Sequence, residues 1–196
     1  MKMKKTKKDT LTWLYQIVDL ARLVCIVTVV FLILTAFVVR REEVVGTSMY
    51  PTLKEGENVV INVAASYLGD IKRFDVVVAK HEDTQDLWVK RVIGLPGERV
   101  AYKEDHLYIN GVMVEEPFLD QDYKNKIIKE KNLTYFSRDY AEITLKEDEY
   151  LLVGDNRPDS LDSRNSSVGP FQREQIIANG MFVFQPLSEM RYVGNE

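Results

Sequence analysis

Leu23 to Val39 is an apolar stretch interrupted only by Thr28 and Thr35. With Leu20 and Ala21 before it, and Arg22 able to snorkel, it reaches the ~20 residues that a bilayer's hydrocarbon core requires. No other feature restricts the chain as strongly. It commits residues 20–40 to a transmembrane helix and leaves residues 41–196 to fold outside the lipid. The segment before it, residues 1–19, carries Lys2, Lys4, Lys5, Lys7 and Lys8. An excess of cations on one flank keeps that flank in the cytoplasm, and with Arg22 these lysines outweigh Arg40 and Arg41 on the other side. A removed secretory leader fits less well, because the apolar core is too long and Thr35-Ala36-Phe37-Val38-Val39-Arg40 offers no small-x-small cleavage site. The expectation is an uncleaved, single-pass anchor in the cell membrane, with residues 41–196 on the extracytoplasmic face.

The net charge of -4 conceals this polarity, since a basic tail precedes an acidic remainder. A basic tail this short, continued by no interleaved basic and aromatic stripe, argues for contact with membrane lipid and against nucleic acid. Cys25 is the only cysteine and lies inside the apolar run, so neither an intrachain disulfide nor a cysteine metal cluster can form. His81 and His106 stand apart with no ligand spacing around them, and no metal or cofactor is expected.

Beyond Val44 the pattern changes to short runs of β-branched residues. Val59–Val63, Asp75–Ala79, Tyr150–Val153 and Met181–Phe184 read as strands. His106–Ile109 and Val112–Val114 flank Asn110-Gly111, the signature of a hairpin with a type I′ turn. The stretch from about 118 to 149 is rich in lysines and acids and reads as a polar surface excursion, partly helical, with no chemistry of its own.

Leu87 to Glu98 begins as a strand and ends in a Gly/Pro/Gly cluster. Side chains alternate along a strand, so Lys90 shares a face with Trp88 and Val92 while Arg91 points the other way. Desolvation between an indole and a valine lowers a lysine's pKa and frees an amine to take a proton. The alternative is a stem packed on Trp88 with its ammonium in water. Ser48 lies in Gly46-Thr47-Ser48-Met49-Tyr50-Pro51-Thr52, where Pro51 restricts Tyr50 and Gly46 permits unusual dihedrals. A serine needs a neighbouring base to become a nucleophile, and lysine can serve, though this heptapeptide by itself also reads as an ordinary turn. Gly154 to Arg164 packs two arginines, three acids and two serines behind a strand. It reads either as a solvated loop or as a set of groups that orient a lysine, with Arg91 a partner for Asp162.

Four segments in order resemble the boxes of the bacterial type I signal peptidases, membrane-bound Ser/Lys endopeptidases. They are Ser48 to Thr52, Lys72 to Val77, Lys90 to Glu98 and Gly154 to Arg164. With the anchor, the resemblance spans nearly the whole chain, and the short third-to-fourth interval is similar to the compact Gram-positive type. The second box departs by carrying Phe74 where glycine is usual. The resemblance implies a mostly β fold: one compact antiparallel domain with a Ser/Lys groove. It implies Ser48 as nucleophile and Lys90 as general base, with Ser160 orienting the lysine amine. Asp162 and Arg164 would brace the site beside Arg91, with Asp155 needed for its integrity. Some relatives carry an oxyanion-hole hydroxyl two residues before the nucleophile. Gly46 stands there, so the hole would rest on backbone N–H groups, chiefly that of Ser48. The implied partners are secretory precursor proteins, cleaved after a small-x-small motif. Val44, Val45, Met49, Tyr50 and Leu53 are candidates for shallow apolar pockets or lipid contact. A self-cleaving repressor with a similar dyad is disfavoured by the membrane span, and a non-catalytic anchored module by the presence of both Ser48 and Lys90.

Overall fold

The structure is a computed structural model and describes residues 7–63, 69–82 and 84–194. The chain divides into two units, Met1–Val38 and Val39–Glu196. The first contains one helix, α1 (Lys7–Val38). Within it Thr12–Leu32 is long and apolar enough to cross a membrane. Those 21 residues rise ~32 Å, against ~30 Å of hydrocarbon. The apolar helical stretch starts earlier than residue 20 because Trp13, Leu14, Tyr15, Ile17 and Val18 extend it. Arg22 lies one turn from Asp19, 3.5 Å away, and the pair offsets its own charge. The helix stops at Val38 rather than 40, because Val39–Glu43 form strand β1. Arg41 is consequently a strand residue: its Nη2 donates to Asn58 Oδ1 at 3.1 Å and its guanidinium stands 5.0 Å from the Phe184 ring.

The second unit is built from antiparallel strands. The first sheet has the order β1-β2-β12-β13, with β2 at Asn58–Asn62, β12 at Met181–Gln185 and β13 at Arg191–Val193. The second runs β10-β9-β4-β3-β11, comprising β3 (Val76–Lys80), β4 (Leu87–Gly94), β9 (Glu149–Val153), β10 (Phe171–Gln172) and β11 (Ile176–Asn179). The third is β7-β6-β5-β8: β5 (Arg99–Lys103), β6 (His106–Ile109), β7 (Val112–Val114) and β8 (Tyr140–Thr144).

Both faces of the second sheet are buried, which explains why its strands are continuous apolar runs and not alternating ones. Val76 and Val78 pack with Val59, Ile61 and Val183, whereas Val77 and Ala79 pack with Leu152 and Phe171. Ile93, Leu151 and Val153 join Val100, Tyr102 and Leu107 of the third sheet in another core. Strand β4 is therefore the centre of the domain, and its two cations, Lys90 and Arg91, are carried into protein interior. Asn110 and Gly111 have φ of 53° and 81°, as the expected hairpin turn demands.

The stretch 118–149 is more than a polar excursion. It holds helix α2 (Gln121–Glu130), strand β8 paired with β5, and a small core of Leu119, Ile127 and Phe136. Its apolar residues are too widely spaced for either period to be read from sequence. Asp120 caps α2, accepting from Tyr123 N at 2.9 Å.

Candidate active site

Lys90 sits on the central strand with 4% of its surface exposed. Its Nζ donates to Ser48 Oγ at 2.8 Å and to Val89 O at 3.0 Å, and stands 5.3 Å from the Trp88 ring. Burial pulls the amine's pKa down to about 8, with Asp162 and Asp155 resisting the fall and Arg164 assisting it. The snorkelling alternative is thereby excluded: the whole side chain is inside.

Ser48 is presented by a turn in which Tyr50 N donates to Thr47 O at 3.1 Å and Leu53 N to Met49 O at 2.9 Å. Gly46 enters that turn at φ +85°, a left-handed value that suits a residue without Cβ. Gly154 backs the turn at close range. A Cβ on it would lie 2.4 Å from Ser48 O and 2.2 Å from Ser160 Oγ, so only glycine allows this approach.

The loop after β9 is not a solvated run of charges: Asp155, Asn156, Arg157, Asp162 and Ser163 are all buried. Arg91 does not meet Asp162. It donates from Nε and Nη2 to Asp155 at 2.9 and 2.7 Å, and from Nη1 to Phe74 O at 2.9 Å. Register explains the choice, since Arg91 pairs with Val153 across the β4–β9 ladder and Asp155 follows two residues later. Asp155 also accepts from Thr52 Oγ1 at 2.5 Å and so ties the Ser48 turn to the lysine strand. Asp162 is taken by Arg164, through Nε at 2.9 Å and Nη2 at 2.8 Å, and by Gly154 N at 3.1 Å. Burial alone would raise the Asp162 carboxyl, but the Arg164 guanidinium, with smaller help from the nearby Ser160 and Gly154, holds it below the ordinary aspartate range.

Ser160 departs from the role implied for it. Its Oγ is buried without a hydrogen-bond partner, lying against Gly154 and the Ser48 carbonyl, while the Lys90 amine takes Val89 O as its second acceptor. Phe74 holds φ of 72° at the position where glycine is usual. It is held there by N–H donation to Val92 O at 2.7 Å and by its ring packing 4.9 Å from Phe118.

A groove of about 820 Å³ runs past Ser48 and Lys90. Val44, Met49, Val59 and Val78 line it, with the exposed Val45 and Leu161 at its margins. Of the other apolar candidates, Leu53 is wholly interior, and Tyr50 packs edge-on against Tyr123 at 4.9 Å. No group of acids, histidines and cysteines able to hold a metal occurs among the described residues. Sequence reasoning missed Thr52, Asn156 and Arg157. The last donates to Gly154 O, Tyr102 Oη, Ser137 Oγ and both oxygens of Glu116, all within 3.1 Å. Their signal was membership of the segments Ser48 to Thr52 and Gly154 to Arg164, and burial of a polar loop cannot be read from its composition.

The family described as signal peptidase, peptidase S26, matches residues 17–185. Signal peptidase I S of Bacillus subtilis (strain 168) is 38% identical over 94% of this chain and 94% of its own length. Signal peptidase IB of Staphylococcus aureus (strain MRSA252) is 36% identical over 95% of each. A solved signal peptidase I from Enterococcus faecalis V583 aligns at 32% identity with a TM-score of 0.49, covering 57% of this chain and 97% of that one. The chain is an enzyme of the peptidase S26 family, a type I signal peptidase of the kind found in Gram-positive bacteria.

Proposed function

We propose that this enzyme is a membrane-anchored serine endopeptidase that removes signal peptides from secretory precursors after a small-x-small motif, with Ser48 as nucleophile and Lys90 as general base. The observation that carries the reading is the 2.8 Å approach of a buried Lys90 amine to Ser48 Oγ. With a pKa of about 8, roughly one amine in ten is neutral at pH 7. The neutral amine takes the Ser48 proton as Oγ attacks the carbonyl carbon of the residue before the scissile bond. The Ser48 N–H receives the developing oxyanion, and the Lys90 ammonium returns the proton to the leaving amine. Water, deprotonated by the same lysine, then hydrolyses the acyl-enzyme.

Asp155, held by Arg91 and Thr52, keeps the two reacting side chains in register. Asp162, neutralised by Arg164, keeps the loop of Gly154 and Ser160 against the Ser48 turn. Short aliphatic side chains of a precursor suit the apolar floor of the groove. Helix α1 serves as the lipid anchor, and the N-terminal lysines favour a cytoplasmic start with residues 39–196 on the far side. Co-expression of a secretory precursor with Ser48→Ala or Lys90→Ala protein tests the reading. Uncleaved precursor should accumulate while each variant stays in the membrane fraction, and full processing by either would refute it.

A further inference from the structure

We infer that Asn156 is a positioning residue that aims the Ser48 N–H at the substrate carbonyl, an inference that rests on the Ser/Lys reading above. Asn156 is 3% exposed and grips two consecutive carbonyls of the Ser48 turn. Its backbone N donates to Ser48 O at 3.0 Å, and its side-chain Nδ2 donates to Thr47 O at 3.1 Å. The peptide joining Thr47 to Ser48 is trans, and in a planar trans peptide the C=O and N–H point in opposite directions. Pinning the Thr47 carbonyl toward Asn156 therefore turns the Ser48 N–H away from it, toward the groove that Gly46, Thr47 and Ser48 line. That N–H donates to nothing among the described residues. Gly46 adds no side-chain donor, so the direction of this single N–H carries the oxyanion stabilisation.

The Tyr50 N–H also reaches Thr47 O, but it belongs to the turn and moves with it. Asn156 comes from outside the turn. It adjoins Asp155, whose carboxylate holds Arg91, the neighbour of Lys90. The same short segment thus sets both the base and the oxyanion donor. Asn156 Oδ1 is buried with no partner, so the amide is held for what its Nδ2 donates and not for what its oxygen accepts.

The test uses the full chain in detergent and a small-x-small peptide, with Asn156→Asp, an isosteric change that replaces the donor by an acceptor, and Asn156→Ala. Ser48→Ala and Lys90→Ala are measured alongside. A peptide aldehyde of the same sequence serves as a probe, because its hemiacetal oxygen occupies the oxyanion position. We expect kcat to fall about 10- to 100-fold in both Asn156 variants, part of the loss known for a deleted oxyanion donor. KM should stay within about twofold and aldehyde affinity should fall alongside kcat. In Asn156→Ala, which adds no charge, the midpoint of the pH profile should stay near 8, where burial sets the Lys90 amine. Unchanged kcat overturns the inference. So does a loss of kcat with a displaced pH midpoint and normal aldehyde affinity, and so does failure of both variants to fold. Cleavage surviving in Ser48→Ala or Lys90→Ala would instead overturn the Ser/Lys reading, which keeps the two failures distinct.

Discussion

A lysine buried as Lys90 is represents stability given up for a reactive amine. Its pKa of about 8, against 10.5 for the free side chain, corresponds to about 3 kcal/mol of disfavoured charge. Below pH 8 both folded and unfolded chains are protonated and the penalty is complete. Between about 8 and 10.5 the unfolded chain holds a proton that the folded one has lost, so stability rises with pH across that window. Replacing Lys90 by Met should therefore stabilise the protein at pH 7, by up to about 3 kcal/mol, with the gain shrinking toward pH 10. Urea denaturation at the two pH values measures it. The same titration should make kcat/KM climb nearly tenfold per pH unit up to about 8 and then level off. Gly154 is the second residue on which the site turns. In Gly154→Ala the new Cβ meets the Ser48 carbonyl at 2.4 Å, and backbone must move. A displacement of even 1 Å at a reacting centre costs about 10²-fold, so peptide cleavage should fall at least that far while the fold persists in circular dichroism.

Among elements, the loop after β9 is tied through buried charge to β4, by Arg91 and Asp155, and to the segment after β7, by Arg157 and Glu116. Arg157 spends its guanidinium on Glu116, Tyr102, Ser137 and Gly154, with no water-exposed alternative for either charge. Arg157→Met leaves Glu116 buried without its counter-ion, held only by Tyr102 Oη, and should destabilise by about 3–5 kcal/mol. The double change with Glu116→Leu should recover much of that loss, which thermal melts of the four proteins would show as strong non-additivity. Helix α2 reaches the same loops more gently. Lys131 pairs with Asp159, the residue before Ser160, but both side chains are about 40% exposed, and such pairs contribute under about 1 kcal/mol. Tyr123 matters more, since its ring meets both Tyr50, two residues past Ser48, and Phe136. Tyr123→Ala should accordingly lower both the melting temperature and kcat/KM more than Lys131→Ala does, as parallel melts and peptide assays would reveal.

At the scale of the whole molecule, the β unit holds its own cores, and α1 is long and apolar enough along Thr12–Leu32 to cross a membrane. A chain beginning near Val39 should therefore melt cooperatively and cleave a short peptide, yet leave the membrane fraction. The full-length protein should resist extraction by alkaline carbonate. Release of the full-length protein by salt, or unfolding of the shortened one, would contradict that division.

Local pattern was enough to reveal the apolar helix, the branched strands and the Asn110-Gly111 turn, because each depends on residues within a few positions of one another. It also placed Lys90 and Arg91 on opposite faces, since alternation belongs to any strand. The strand formed by Arg40 and Arg41 and the contents of residues 118–149 needed the fold, because their apolar residues are sparse and their partners lie far along the chain. The site itself was a tertiary decision. Ser48 and Lys90 are 42 residues apart, Thr52 and Asp155 103, Thr47 and Asn156 109. No periodicity reports across such distances. Whether an amine stays dry, which acid an arginine meets and where an N–H points depend on what surrounds them, and only packing supplies those surroundings.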